Sequence, residues 1–167
     1  MATLRISIQK RADGGAVLRC TRADGSVTWQ RQEGPRAAYF PGHDLTHFAV
    51  ETVLGVRRAF YGLVSEGWEI PDTEGKGPPG PLPAEAVAVE HLVGLLDLER
   101  AGAAAWTAES LSREAAAFAA QGGRAALRPV TNEELMRIRT LMGDLIGAWA
   151  RLQPGGTLDL TFGAEGT

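Results

Sequence analysis

Alternating apolar and polar residues predict four short β-strands, three near the start of the chain and one near its end. The alternation covers Thr3–Lys10, Ala16–Arg22, Val27–Arg31 and Thr157–Phe162. This period of two is typical of strands with one buried face. The dipeptide Asp24-Gly25 is a strong hairpin signal between the second and third strands. The first three strands are therefore expected to form an antiparallel meander, which the C-terminal strand joins.

The faces of this sheet follow from the same alternation. Leu18 and Cys20 should point toward the core from the second strand, and Val27 and Trp29 from the third. The opposite face should remain in water and carries Arg5, Arg19, Thr21, Thr28 and Gln30.

Helical spacing of apolar residues predicts four helices, at Pro41–Ser65, Pro83–Ala101, Thr107–Gln121 and Thr131–Leu152. The last two begin at N-cap threonines, and the final helix starts with a capping box. We therefore expect a single α+β domain over residues 1–167, in which an antiparallel sheet of about four strands is packed on one face by about four helices. The proline- and glycine-rich segment 67–83 should lack helix and inner strand, and would form an irregular bridge or a mobile lid.

The longest predicted helix, Pro41–Ser65, carries two of the three histidines near its start. At about 100° per residue, His43, His47 and Glu51 form one stripe over two turns. Two imidazoles four residues apart on a helix can both reach one divalent ion, and a carboxylate can complete the site. Two histidines and one carboxylate suit zinc or ferrous iron. The stripe therefore predicts a metal site that includes Glu51.

Two further carboxylates enter this hypothesis. Asp44 could orient a histidine or act as the base toward a metal-bound water. It also has a purely structural interpretation, because an acidic side chain in the first helical turn stabilises the helix dipole. Glu99 is a second possible ligand, since an antiparallel pair of helices would bring it near His43 and His47. Its structural alternative is a glutamate of the last helical turn that extends into water.

Two acidic residues are left out of the predicted site. Glu90 and Asp97 lie on the opposite side of the Pro83–Ala101 helix from its apolar stripe. On that side of an amphipathic helix, charged residues normally face solvent.

The segment PGHDLTHFAVE, followed by AFYGLVSEGW, resembles a group of uncharacterised bacterial proteins with an H-D-L-x-H-x-x-x-E helix after an N-terminal strand region. The resemblance covers the first third of the chain and implies an architecture but no activity. HDLTH is also similar, over five residues, to the HExxH motif of zinc metalloproteases. Asp44 stands at the glutamate position with a side chain one methylene shorter, and no third histidine or distal glutamate follows at a familiar spacing.

The composition of the chain limits the classes of partner that it is expected to bind. The formal net charge is −3 over 167 residues, which argues against a general nucleic-acid binder. Cys20 is the only cysteine, so internal disulfides and cysteine-based zinc sites are excluded, and we expect this residue to be buried. The sequence shows neither a secretory leader nor an apolar run long enough for a membrane span. A cytoplasmic protein with no membrane partner is therefore expected.

Two functions from different classes fit these observations. In one, the metal site catalyses a hydrolytic reaction on a small substrate, with segment 67–83 as a lid. In the other, the histidines are structural, and the protein is a non-catalytic module that self-associates or binds another protein. The exposed sheet face, the irregular segment or a helix face would then form the interface.

Overall fold

The computed structural model describes residues 2–163, which form one four-stranded sheet and five α-helices. Met1 and residues 164–167, the ends of the expected domain, lie outside the described residues. The strands are β1 (Leu4–Lys10), β2 (Ala16–Thr21), β3 (Val27–Gln32) and β4 (Thr157–Phe162). The helices are α1 (Phe40–Leu54), α2 (Phe60–Ser65), α3 (Ala84–Arg100), α4 (Ala108–Gln121) and α5 (Asn132–Arg151). In the described part of the chain, no helix has both the length and the apolar composition that a membrane crossing requires.

The sheet has the strand order β3-β2-β1-β4, and every neighbouring pair is antiparallel. β4 pairs directly with β1, so that Leu4 lies opposite Phe162. The predicted α+β fold, with an N-terminal meander and an added C-terminal strand, is therefore confirmed.

Helix α1 is the central layer of the molecule. One side of it packs on the apolar face of the sheet, where Leu45 and Phe48 join Ile6 and Ile8 in one buried cluster. Its other side carries Val50 into a second cluster with side chains of α3, α4 and α5. A helix covered on both sides in this way has few positions left for polar residues, and those positions face its neighbours.

The prediction of a single helix over Pro41–Ser65 is wrong. Gly55 ends α1 in the left-handed conformation with φ +66°, and the Val56 amide returns to the Glu51 carbonyl at 3.0 Å. This is the usual glycine-terminated helix end. The apolar periodicity continues in phase beyond the break, which is why the pattern predicted one helix instead of α1 and α2.

The predicted orientation of β3 is also wrong. Trp29 lies 62% exposed on the outer face of the sheet, whereas Thr28 and Gln32 are buried. The register explains the inversion: Thr28 pairs with Cys20, and Gln30 pairs with Leu18. Paired residues share a face of the sheet, so both polar side chains must face inward with the apolar side chains of β2.

Segment 67–83 contains one short 3₁₀-helix, Ile70–Glu74, which corrects the expectation that it would contain no helical turn. Its first part is fixed to the sheet. The buried Arg22 guanidinium donates to the carbonyls of Val64 and Trp68 at 2.7 and 2.6 Å. The Ile70 amide donates to the Thr28 hydroxyl at 3.1 Å. Ile70, Thr73 and Glu74 of this segment line one cavity with His43 and His47 of α1.

The turn between α1 and α2 yields a prediction about glycine. A Cβ at Gly62 would overlap the Arg57 carbonyl, so Gly62→Ala should lower the free energy of unfolding by about 1–3 kcal/mol, the usual cost of overpacking. Gly143→Ala is the matched control, because this exposed position in α5 has nothing within 4 Å of the added methyl group. The control should gain about 0.5–1 kcal/mol from better helix propensity. Urea unfolding measures both, and equal effects would contradict the close approach at Gly62.

Candidate metal centre

The polar positions of α1 lie at its N-terminal half, where the helix faces α3. His43, Asp44 and His47 line a cavity there, and Glu51 lies one turn beyond His47, with its side chain buried. The two histidine rings are neighbours, with centroids 4.8 Å apart and planes inclined by 76°. The predicted stripe on one side of the helix is therefore present, and it faces other elements of the fold.

His47 is held between two carboxylates. It is 2% exposed. Its Nδ1 lies 3.2 Å from Glu51 Oε1, and its Nε2 lies 2.8 Å from Glu90 Oε2. Because Glu51 is buried one turn along the same helix, it fixes both the ring plane and the proton on Nδ1. The Nε2 atom is then the one directed toward α3 and the cavity.

His43 repeats this arrangement one turn earlier with a different buried carboxylate. Its Nδ1 lies 2.7 Å from Asp97 Oδ2, and its Nε2 lies 3.3 Å from Glu90 Oε1. The Tyr39 hydroxyl also donates to Asp97 Oδ2 at 2.7 Å, and Arg100 donates to the other carboxylate oxygen at 3.1 Å. Asp97 is thus a fixed acceptor for the Nδ1 proton of His43.

Glu90 of α3 is the residue on which both Nε2 atoms converge. One ligand atom each from His43, His47 and Glu90 can be chosen so that all three lie within 4.8 Å of one another. The Glu90 side chain is 53% exposed, and it lines the same cavity as the histidines. Two imidazole nitrogens and one carboxylate with an open side form the three-residue set found around catalytic zinc and non-haem iron.

Hydrogen bonding in this cluster favours protons on both imidazoles when no cation is present. Burial opposes the protonation of His47, but hydrogen bonds to Glu51 and Glu90 outweigh it and raise its pKa to about 10. Burial acts in the same sense on His43, and its contacts with Asp97 and Glu90 raise its pKa. Burial also works against ionisation of Glu90, yet the two histidines hold its pKa well below the usual range. A metal ion would have to displace these protons, because only neutral imidazole is a ligand.

Glu51 has a second set of partners, at the start of α2. Its carboxylate accepts from the Tyr61 amide at 3.0 Å and from the Gly62 amide at 3.3 Å. Burial raises the pKa of Glu51, and the contacts with His47 and these amides act against that rise. Because its oxygens are occupied by backbone donors and by His47 Nδ1, Glu51 lies behind the histidine. The three-residue group of possible ligands contains Glu90 in its place.

Asp44 lies on the wall of the cavity and is buried there beside the two histidines. The Gln32 side-chain amide donates to its Oδ2, and the Tyr61 hydroxyl donates to its backbone carbonyl at 3.1 Å. Burial raises the pKa of Asp44 to about 6 despite the Gln32 contact and the nearby histidines. A carboxyl group with such a pKa can change its protonation state near neutral pH, as a general base requires.

Glu99 lies on another side of α3, apart from the histidine cluster. Its carboxylate accepts from Arg139 of α5 at 2.6 and 3.0 Å and from the Trp106 amide at 3.0 Å. Nine residues separate Glu99 from Glu90, which places the two on opposite sides of a helix at about 100° per residue. Glu99 therefore links α3 to α5 through Arg139. Helices α1 and α3 do run antiparallel, because Asp97 contacts His43 and Glu90 contacts His47.

Sequence reasoning missed Glu90, Asp97 and Gln32. The signal for the first two was present: they are seven residues apart on one side of α3, just as the histidine stripe lies on one side of α1. Two helices with matching polar stripes can bury them against each other. Gln32 gave no such signal, because the predicted third strand ended at Arg31 and its inward and outward positions were predicted wrongly.

The double role of Glu51 gives a prediction about stability. Glu51→Gln should lower the free energy of unfolding by about 3 kcal/mol, because the neutral amide removes the buried one of the two carboxylates that pair with the His47 imidazolium and turns an N–H toward another donor. Glu99→Gln is the matched control, and it should cost at most about 1 kcal/mol, since its Arg139 partner is partly exposed. Urea unfolding in the presence of a chelator makes the comparison. Equal losses would contradict the anchoring role of Glu51.

No protein-family model, curated protein or solved structure matches this chain. The functional assignment therefore rests on the geometry of the residues themselves.

Proposed function

We propose that this chain is a metal-dependent hydrolase of a small molecule, with Zn²⁺ or Fe²⁺ held by His43, His47 and Glu90. The support is one observation: each histidine commits Nδ1 to a buried carboxylate and directs Nε2 to a shared third carboxylate at a cavity wall. Outer carboxylates of this kind fix the tautomer and orientation of metal-ligating histidines. A structural histidine can also use both nitrogens, so the metal proposal depends on the fact that the two Nε2 atoms share one half-exposed carboxylate at the cavity.

The proposed residues have two different roles, as metal ligands and as partners that position those ligands. His43, His47 and Glu90 would hold the ion, on the side where Glu90 is half-exposed at the cavity. Glu51 and Asp97 lie behind the histidines and hold their Nδ1 protons. A divalent ion in such a site lowers the pKa of a water molecule and polarises a carbonyl oxygen.

Asp44 is the proposed proton acceptor. It lines the cavity with both histidines, and its side chain is outside the three-residue ligand group. One oxygen is held by Gln32, which leaves the other able to receive a proton from the attacking water. The proton would then pass to the leaving group as the carbonyl–heteroatom bond breaks.

The first prediction of this proposal concerns metal content. Wild-type protein purified without an affinity tag and dialysed against Zn²⁺ should retain one ion per chain by elemental analysis. Loss of an outer carboxylate typically lowers metal affinity by roughly ten- to a hundredfold. His47→Ala and Glu90→Gln remove a ligand itself, so each should lower zinc affinity by more than that. Asp97→Asn, one such outer change, should fall within that range.

His91→Ala is the control for these variants. His91 is the remaining histidine, packs against Phe118 with ring centroids 5.2 Å apart, and is outside the ligand group. This variant should bind zinc as the wild type does. The proposal would be contradicted if the wild type retained no zinc or iron and His47→Ala only lowered the thermal stability. The histidines would then be structural.

The second prediction concerns Asp44. Asp44→Asn should keep the metal but lower hydrolysis of a short-chain p-nitrophenyl ester by about 10²–10⁴-fold, the usual contribution of a general base. The zinc-loaded wild type should lose activity as the pH falls, because the protonated carboxyl accepts no proton. Glu74→Gln is a matched control, since Glu74 lines the same cavity but comes from the 3₁₀-helix. Full activity in the Asp44→Asn variant would exclude Asp44 as the base.

A further inference from the structure

The cavity beside the histidines has both polar and apolar walls. Its volume of about 470 Å³ is in the range of small-molecule sites. The apolar part of its wall is formed by Phe40, Phe60, Leu63, Ile70, Leu82 and Ala86. A substrate that fills this space must present carbon chains or rings to these six side chains.

Helix α3 shows the direction in which the cavity extends from the ligands. Glu90, Ala86 and Leu82 all line it, and they are four residues apart. Leu82 lies two residues before Ala84, the first residue of α3, and the stretch from Ala84 to Glu90 alone spans roughly 9 Å along the axis at a rise of about 1.5 Å per residue. The cavity is therefore longer than the ligand group, and Ala86 lies midway.

Segment 67–83 borders the far end. Gly75 packs on Leu82, since a Cβ at this glycine would lie 3.2 Å from Leu82 Cγ. The neighbouring side chains Glu74 and Lys76 also line the cavity. Their opposite charges give that end no net preference for an anion or a cation.

We infer that the substrate is a linear amphipathic small molecule, an ester or amide whose acyl chain is apolar and uncharged. Its carbonyl lies at His43, His47 and Glu90, and its chain runs past Ala86 toward Leu82. Ala86 determines specificity, because a small side chain one turn from Glu90 leaves the path open. This inference rests on the proposed metal site and adds to it the direction and chemistry of the substrate chain.

Alkyl hydroxamates of increasing length test the inference on the zinc-loaded protein. Each carries the same metal-binding head, so acetohydroxamate reports the metal and the longer members report the apolar wall. Affinity measured by calorimetry should rise about three- to fourfold for each methylene group buried, until the chain reaches the Leu82 end. Constant affinity from acetohydroxamate to octanohydroxamate would overturn the inference and leave the metal site intact, whereas failure to bind zinc would instead refute the proposed function.

Substitutions in the cavity wall test where the apolar chain of the bound molecule lies. Ala86→Leu should lower octanohydroxamate affinity at least tenfold and change acetohydroxamate affinity less than twofold. Ala84→Leu, an exposed position on the same helix outside the cavity lining, should change neither. Leu82→Ala is a second test, which removes apolar surface instead of adding volume. It should lower the affinity of only the longest hydroxamates. If both cavity variants bind long probes as the wild type does, the chain does not follow α3 and the inference is wrong.

Discussion

The buried carboxylate of Glu51 is the contact on which the site and its supporting helices both depend. Ionised carboxylates are costly away from water unless hydrogen bonds and an opposite charge compensate them. Here the compensation comes from the backbone amides of Tyr61 and Gly62 and from His47. The break at Gly55 is therefore part of the site, because it lets α2 turn its first amides toward a residue on α1.

The same contact bears on the distinction between structural and ligating histidines. A structural histidine is satisfied by one or two fixed partners inside the protein. His47 and His43 each have such a partner at Nδ1, yet each also directs Nε2 to Glu90, which is half-exposed at a cavity. One acidic side chain shared between two imidazoles concentrates charge where the wall is open. Protons on the two Nε2 atoms can lie beside that carboxylate, and so can one divalent cation in their place.

The fold was more predictable from the sequence than the site was. Alternation in β1, β2 and β4 specified a sheet because each strand has one apolar face, and the Thr131 capping box located the start of α5. The site depends on which helix faces which, and periodicity within one helix does not contain that information. Glu90 and Glu99 illustrate this point. Both are acidic residues of α3, and only the packing of α1 against one side of that helix separates them.

The inverted phase of β3 belongs to the same argument. Apolar Trp29 lies outside and polar Gln32 lies inside, against the preference of each residue for its surroundings. Such a local conflict is tolerated where a neighbouring group requires it. Gln32 donates to Asp44, Thr28 accepts from the segment that borders the cavity, and Gln30 lines the cavity wall. An edge strand with this phase supplies polar partners to the groups around the cavity instead of apolar contacts to the sheet.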